Sequence, residues 1–117
     1  MLAMKTAGRP PRQGVSNWAP FFEAVDEARR TRRFDALRSL YSRSRRTRER
    51  ALLNATACAL ATEFRQAPPW WAMHPLTLPE PWFVAGVENL KATALVESPL
   101  AFRRNNIFVL GNFLSRA

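Results

Sequence analysis

Five prolines fall within residues 67–81, and this cluster restricts how the chain can fold more than any other sequence feature. Because proline fixes its own backbone angle and lacks an amide hydrogen, neither a regular helix nor a central strand can run through such a segment. We therefore expect residues 67–81 to form an ordered but irregular connector, with Pro68 and Pro69 ending the helix before it. Pro79 and Pro81 can be accommodated at or before the first turn of a following helix.

Three helices are predicted before the connector. The first runs from a cap at Ser16 or Asn17 to about Arg33, because apolar residues in it recur at helical spacing. A second, shorter apolar face consists of Phe34, Leu37, Leu40 and Tyr41. The third is predicted from Ala51 to about Gln66, since good helix formers dominate this stretch and the connector prolines stop it.

Two further helices are predicted after the connector. The fifth helix begins near Ser98, which precedes Pro99 and so gives a good start signal. The run Ile107–Leu110 is β-branched and aromatic, as in a short strand, but no second strand-like run is found to pair with it. We therefore predict Ile107–Leu110 to be helical. The fourth helix is predicted to carry its apolar face at Phe83, Val87, Leu90 and Ala94.

The predicted fold class is all-α, a compact single-domain bundle of four or five helices joined by a Pro/Trp-rich connector. The apolar fraction of 47% is ample for a packed core in a chain of 117 residues. Glycine and proline break any periodicity in residues 1–15, so this segment is predicted to be a flexible basic arm. Residues 16–117 then form the helical domain.

Positive charge dominates the chain, which has 18 basic and nine acidic residues and a net charge of +9. All the basic residues except Lys5 and Lys91 are arginine. A guanidinium group is planar and binds phosphate or carboxylate with two parallel hydrogen bonds, whereas lysine supplies a single point charge. A genome of high GC content would also favour arginine over lysine, but it would not cluster the arginines in one part of the chain.

The arginines are clustered between Arg29 and Arg50, where ten of 22 residues are arginine. Only Asp35 and Glu49 oppose them, so this window carries +8 of the net charge of +9. Such clustering is costly by self-repulsion unless an anion is bound, and phosphate contacts would make binding strongly salt-dependent. An ordinary solvated helix face, or a docking site for an acidic protein, is the alternative. The predicted nucleic-acid-binding residues are Arg38, Arg43, Arg45, Arg46, Thr47, Arg48 and Arg50.

The stretch Leu37–Leu52, with sequence LRSLYSRSRRTRERAL, resembles the turn and recognition-helix start of helix-turn-helix DNA-binding proteins. The chain departs from that pattern because it lacks a glycine in the turn, and because Arg43 and Arg48 replace apolar residues. The resemblance implies that Ser44 caps the recognition helix. It also implies groove or phosphate contacts by Arg45, Arg46, Thr47 and Arg50, with Ala51 and Leu52 packed inward.

Trp70 and Trp71 are the predicted partner-binding residues of the connector. Adjacent tryptophans cannot both point into the same core, so one of them can stack on a base or anchor a partner protein. The alternative is that both cover the ends of the bundle.

Catalysis needs a convergent set of reactive groups, and the sequence offers one histidine, one cysteine, nine scattered carboxylates and no glycine-rich loop. We therefore expect no enzymatic activity, no cofactor and no metal site, with His74 in a loop or packing role. The single cysteine, Cys58, is expected to be a buried, inert thiol, and its lack of an intrachain partner predicts an intracellular, cytoplasmic protein. No apolar run reaches the roughly 18 to 20 residues of a membrane span.

These features predict a non-enzymatic nucleic-acid-binding protein that contacts phosphates through an arginine-rich helical surface. It would be either a small subunit of a nucleoprotein complex or a helix-turn-helix-like regulator. The alternative is a protein-interaction adaptor that docks an acidic partner through the arginine patch and the Trp-Pro loop. The sequence does not distinguish DNA from RNA as the ligand, or a monomer from a homo-oligomer. Membrane attachment is not expected, because Ser42–Arg50 contains no apolar residue to insert.

Overall fold

A computed structural model describes residues 18–86 and 90–115, and within them five helices and one small sheet surround a single apolar core. The predicted all-α, single-domain bundle is confirmed. The predicted basic arm of residues 1–15, and the cap at Ser16 or Asn17, lie outside the described residues.

The first two helices pack against each other at the N-terminal side of the core. Helix α1 (Ala19–Thr31) buries Phe21, Val25 and two alanines, and it ends where Arg32 adopts left-handed backbone angles. Helix α2 (Asp35–Arg43) follows after a short turn and buries Leu37. These two helices therefore occupy the segments in which helical apolar spacing predicts them.

Helix α3 (Thr47–Phe64) is the centre of the fold. Every residue from Ala51 to Ala57 is buried, so this part of the helix has no solvent-exposed face. It begins one turn earlier than predicted, because the charged residues before Ala51 continue the helix out of the core. It ends at Phe64, and Arg65 takes left-handed angles before the connector begins. The helix contacts α2 and a single 3-10 turn at Trp70–Ala72.

Two short strands correct the prediction for the C-terminal half. Strand β1 (Trp82–Phe83) pairs in parallel with strand β2 (Ile107–Phe108), with Trp82 opposite Ile107. The predicted fourth helix beginning near Phe83 is therefore wrong at its start, and the predicted helix at Ile107–Leu110 is also wrong. The pairing buries Trp82 and Ile107 in the core, which favours the extended backbone over a helix. The remaining helices are short, with α4 at Lys91–Glu97 and α5 at Leu100–Arg103.

Helix α5 and strand β2 join at a polar turn that is anchored to α3. Asn105 is fully buried at this turn, and its side chain donates to the Ala51 carbonyl at 2.9 Å. The next residue, Asn106, has a φ of 65° and accepts the β1 amide of Trp82 at 3.0 Å. None of the helices in residues 18–86 and 90–115 combines the length and the apolar character needed to cross a membrane.

Candidate nucleic-acid interface

The turn between α2 and α3 presents the arginine cluster. Helix α2 closes at Ser44, whose amide donates to the Leu40 carbonyl at 2.9 Å, and three residues later α3 begins. Arg46 occupies the N-cap position of α3 and makes no side-chain cap hydrogen bond. The capping role implied for Ser44 is therefore wrong, because Ser44 ends α2 and its hydroxyl donates to Glu49 at 3.0 Å.

The predicted contact residues divide into an exposed group and a half-buried pair. Arg48 and Arg50 are half-buried and lie against aromatic rings. The exposed group is defined here as the α2–α3 basic surface, and it consists of Arg38, Arg43, Arg45, Arg46 and Thr47.

Arg50 supports the turn rather than extending from it. Its Nη1 atom donates to the carbonyl oxygens of Tyr41 at 3.1 Å and of Ser44 at 3.2 Å. Its guanidinium carbon also lies 4.1 Å from the centre of the Tyr41 ring. The guanidinium carbon of Arg48 lies 5.4 Å from the centre of the Trp82 ring, beside the sheet. Both side chains therefore contribute to packing as well as to charge.

Carboxylates neutralise one end of the arginine window and leave the other end positive. Ion pairs join Arg29 to Glu63, Arg30 to Glu27 and Arg33 to Asp35. Within the part of the chain that the structure describes, no ion pair involves an arginine of the α2–α3 basic surface. The excess positive charge is therefore concentrated at the turn between α2 and α3 and along the exposed side of α2.

A cleft of about 300 Å³ opens beside this surface, and we call it the Trp70 cleft. Trp71 forms part of it and is 6% exposed, with its ring centre 4.6 Å from that of Tyr41. Trp70 is 71% exposed, and the guanidinium carbon of Arg38 lies 5.9 Å from the centre of its ring. The residues that line the cleft are Arg38, Tyr41, Ser42, Arg50, Trp70 and Trp71.

The cleft brings predicted residues together with two that sequence reasoning did not assign to a site. Helical spacing identifies Tyr41 only as part of an apolar helix face, and the sequence gives no signal that Ser42 belongs to a site. The spacing of Arg38 and Tyr41, three residues apart on one helix, is a signal that they share a face. The two adjacent tryptophans point in different directions, with Trp71 directed into the core and Trp70 directed into solvent.

The histidine and the cysteine lie away from the basic surface. His74 is exposed in the connector, and its backbone carbonyl accepts a hydrogen bond from Asn54. Burial raises the pKa of the Cys58 thiol, and the nearby Arg104 guanidinium, which donates to Sγ at 2.8 Å, partly opposes this increase. The thiol itself donates to the Ala72 carbonyl at 3.0 Å. Cys58 is therefore a protonated packing residue near neutral pH.

Comparisons with protein-family models, with curated proteins and with solved structures give no match to this chain. Exposed guanidinium groups can bind phosphates with paired hydrogen bonds. An exposed indole next to them can stack on an aromatic base or hold an apolar group of a partner.

Proposed function

We propose that this protein is a non-enzymatic nucleic-acid-binding protein that contacts phosphates, without base specificity, through the α2–α3 basic surface. The observation that carries the proposal is a group of four exposed arginines, two on α2 and two in the turn that follows it, with no carboxylate partner among the described residues. Like charges held this close repel one another, and an anion with several charges relieves that repulsion. A phosphate backbone supplies charges in a regular row, which suits such a surface.

Phosphate binding by this surface has a quantitative signature. Each phosphate that a protein neutralises releases condensed counterions, so the logarithm of affinity falls linearly with the logarithm of salt concentration. The slope is about −0.9 per contact on duplex DNA and about −0.7 on a single strand. Four arginine contacts therefore predict a slope between about −3 and −4.

The burial of α3 favours sequence-neutral binding over a helix-turn-helix regulator. A recognition helix lies in the major groove with one face exposed to base edges. Residues Ala51–Ala57 are buried all round, and the exposed residues of α3 are at its two ends, at Thr47 and at Thr62 and Glu63. The helix therefore has no continuous exposed face that could lie along a groove. A role as a small subunit of a cytoplasmic nucleoprotein complex is consistent with phosphate contacts alone.

The competing proposal is an adaptor that docks an acidic protein on the same arginines, with Trp70 as its apolar anchor. Its support is the exposed indole, since exposed tryptophans are frequent anchors at protein interfaces. The two proposals use the same surface and differ in the ligand, so binding measurements separate them.

The proposal is tested by fluorescence anisotropy with single-stranded DNA, single-stranded RNA and duplex DNA over a salt series. We expect binding that weakens steeply with salt. The double variant Arg43→Ala/Arg46→Ala should lose about tenfold or more in affinity at low salt, with a slope reduced by about 1.5 to 2. Arg30→Ala/Arg33→Ala removes the same charge from arginines that already have carboxylate partners, and it should keep most of the affinity.

Two results contradict the proposal. The first is an absence of salt-dependent binding to all three nucleic acids. The second is an equal loss in the two double variants, because this would show that net charge alone, and not the α2–α3 basic surface, attracts the ligand. Circular dichroism of each variant checks that the helices are retained.

A further inference from the structure

We propose that the nucleic acid bound by this protein is single-stranded, and that one unpaired base stacks on Trp70 in the Trp70 cleft. This inference rests on the proposed function and names the form of ligand that the same surface takes. It is carried by the position of an exposed indole in a cleft that is also lined by Arg38, a member of the basic surface that can hold the adjoining phosphates.

The backbone around Trp70 fixes the side of the connector from which its side chain projects. Pro69 precedes it in an extended conformation, and the Ala72 amide donates to the Pro69 carbonyl at 2.9 Å, which closes a 3-10 turn. Trp71 is inserted into the core and packs against the Tyr41 ring, and this contact anchors the turn. Because its neighbour is fixed inward, Trp70 is directed outward before any ligand arrives. Because the backbone is already ordered, binding restricts only the two side-chain torsions of the indole, and the entropic cost is small.

The dimensions and lining of the cleft fit one aromatic ring system. Its volume of about 300 Å³ is at the lower end of the range of small-molecule sites, which extends from about 300 to about 1,000 Å³. The Arg38 guanidinium lies over one face of the Trp70 ring, and the other face can stack on a base. Arg38 and Ser42 line the cleft on α2, and Arg43 follows Ser42 directly in the chain. A base in the cleft would therefore have its flanking phosphates close to the α2–α3 basic surface.

Stacking on Trp70 selects an unpaired base. Inside a duplex both faces of each base are covered by its neighbours, and only base edges are open in the grooves. The face of the Trp70 ring can therefore stack only on a base that has left the duplex stack. Stacking on an aromatic side chain accepts any base, because every base has a π-face, which agrees with sequence-neutral binding.

The experiment compares two single strands of about 12 nucleotides that carry the same phosphates, one with bases and one abasic throughout. A duplex of the same length is the third ligand. Dissociation constants are measured at one low salt concentration for the wild type, Trp70→Ala, Trp70→Phe and Met73→Ala. Met73 is 56% exposed in the same connector but does not line the cleft, so its variant is the matched control for loss of an exposed apolar side chain.

We expect the wild type to bind the base-containing strand about tenfold more tightly than the abasic strand. Trp70→Ala should remove this difference while leaving the affinity for the abasic strand unchanged. Trp70→Phe should keep part of the difference, and Met73→Ala should match the wild type. Binding of the base-containing strand should also quench tryptophan fluorescence in the wild type more than in Trp70→Ala.

The outcomes separate this inference from the proposed function. Equal, salt-dependent binding of both single strands would keep the proposed function and overturn the stacking site. Tighter binding of the duplex than of the base-containing strand, or a Trp70→Ala loss that is equal for both strands, would also overturn it. Absence of binding to every oligonucleotide would overturn both proposals, and if Trp70→Ala then lost an acidic protein partner, the adaptor would replace them.

Discussion

The side chain of Asn105 donates a hydrogen bond of 2.9 Å to the side-chain oxygen of Asn54, and both residues are fully buried. Asn105 also donates to the Ala51 carbonyl at 2.9 Å and accepts the Leu76 amide at 3.0 Å. Asn54 donates to the His74 carbonyl at 2.9 Å. This pair therefore ties α3, the connector and the turn before β2 to one another through polar contacts inside the core.

Replacing Asn105 with alanine should lower the free energy of unfolding by about 2 to 4 kcal/mol, because it leaves several buried polar atoms without a partner. The measurement is urea unfolding followed by circular dichroism. Asn112→Ala removes an exposed amide instead and should change stability by less than about 0.5 kcal/mol. A decrease of less than about 1 kcal/mol in the free energy of unfolding of Asn105→Ala would show that the buried asparagine pair contributes little to stability.

Glycine at position 65 should stabilise the protein by about 1 kcal/mol. Arg65 ends α3 with a φ of 59°, in the left-handed region where a β-carbon is unfavourable and glycine is not. Arg32 ends α1 with the same φ, but its guanidinium carbon lies 5.2 Å from the centre of the Phe64 ring. Arg32→Gly should therefore gain less stability than Arg65→Gly, since it also loses this contact with the Phe64 ring.

Thermal unfolding checks this pair of variants, which remove the same charge. A gain of about 1 kcal/mol corresponds to a rise of roughly 3 to 5 °C in Tm for a domain of this size. A greater rise in Tm for Arg32→Gly than for Arg65→Gly would show that the contact between Arg32 and the Phe64 ring does not stabilise the fold.

The raised pKa of Cys58 predicts a specific loss of stability in alkali. Because burial raises the pKa of the folded thiol above its ordinary value of 9.0, the protonated form is favoured in the folded state. The contribution of the protonated thiol to the free energy of unfolding is complete below pH 9.0 and is lost as pH rises through the higher pKa of the folded state. The stability difference between wild type and Cys58→Ala should therefore narrow with rising pH.

Urea unfolding of the wild type and of Cys58→Ala from about pH 7 to about pH 10.5 tests this prediction. All other titrating groups are present in both proteins, so their effects cancel in the difference. Alkylation by iodoacetamide gives a second measurement. It should be slower for the folded chain than for the chain in urea, and equal rates would mean that the thiol is not shielded.

Helical spacing was sufficient to predict α1 and α2, because each buries a face that repeats along the sequence, and α3 was predictable from its good helix formers and the prolines that follow them. It could not predict the sheet, since strands of two residues are too short to show any periodicity. The pairing of Trp82 with Ile107 also joins residues far apart in the chain, and Phe83 fits the helical spacing that continues to Ala94. A two-residue strand is thus specified by its partner and not by its own sequence.

The arginine cluster was visible in the sequence, but its internal division was not. Arg50 holds the Tyr41 and Ser44 carbonyls because α3 docks on α2, and Arg48 lies over Trp82 because α3 packs near strand β1. Local sequence also predicted that one connector tryptophan faces outward, without indicating which of the two. Packing of Trp71 on Tyr41 decides that question.

The contacts of Asn105 have a consequence for the order in which this protein can fold during synthesis. Asn105 follows Ala51 by 54 residues and Asn54 by 51, so α3 leaves the ribosome long before the side chain that satisfies its buried polar groups. Until then the apolar surface of α3 cannot be fully covered, and the nascent chain is exposed to aggregation or to capture by chaperones. A chain that stops short of Asn105 should accordingly show helix by circular dichroism and yet unfold in urea without a cooperative transition.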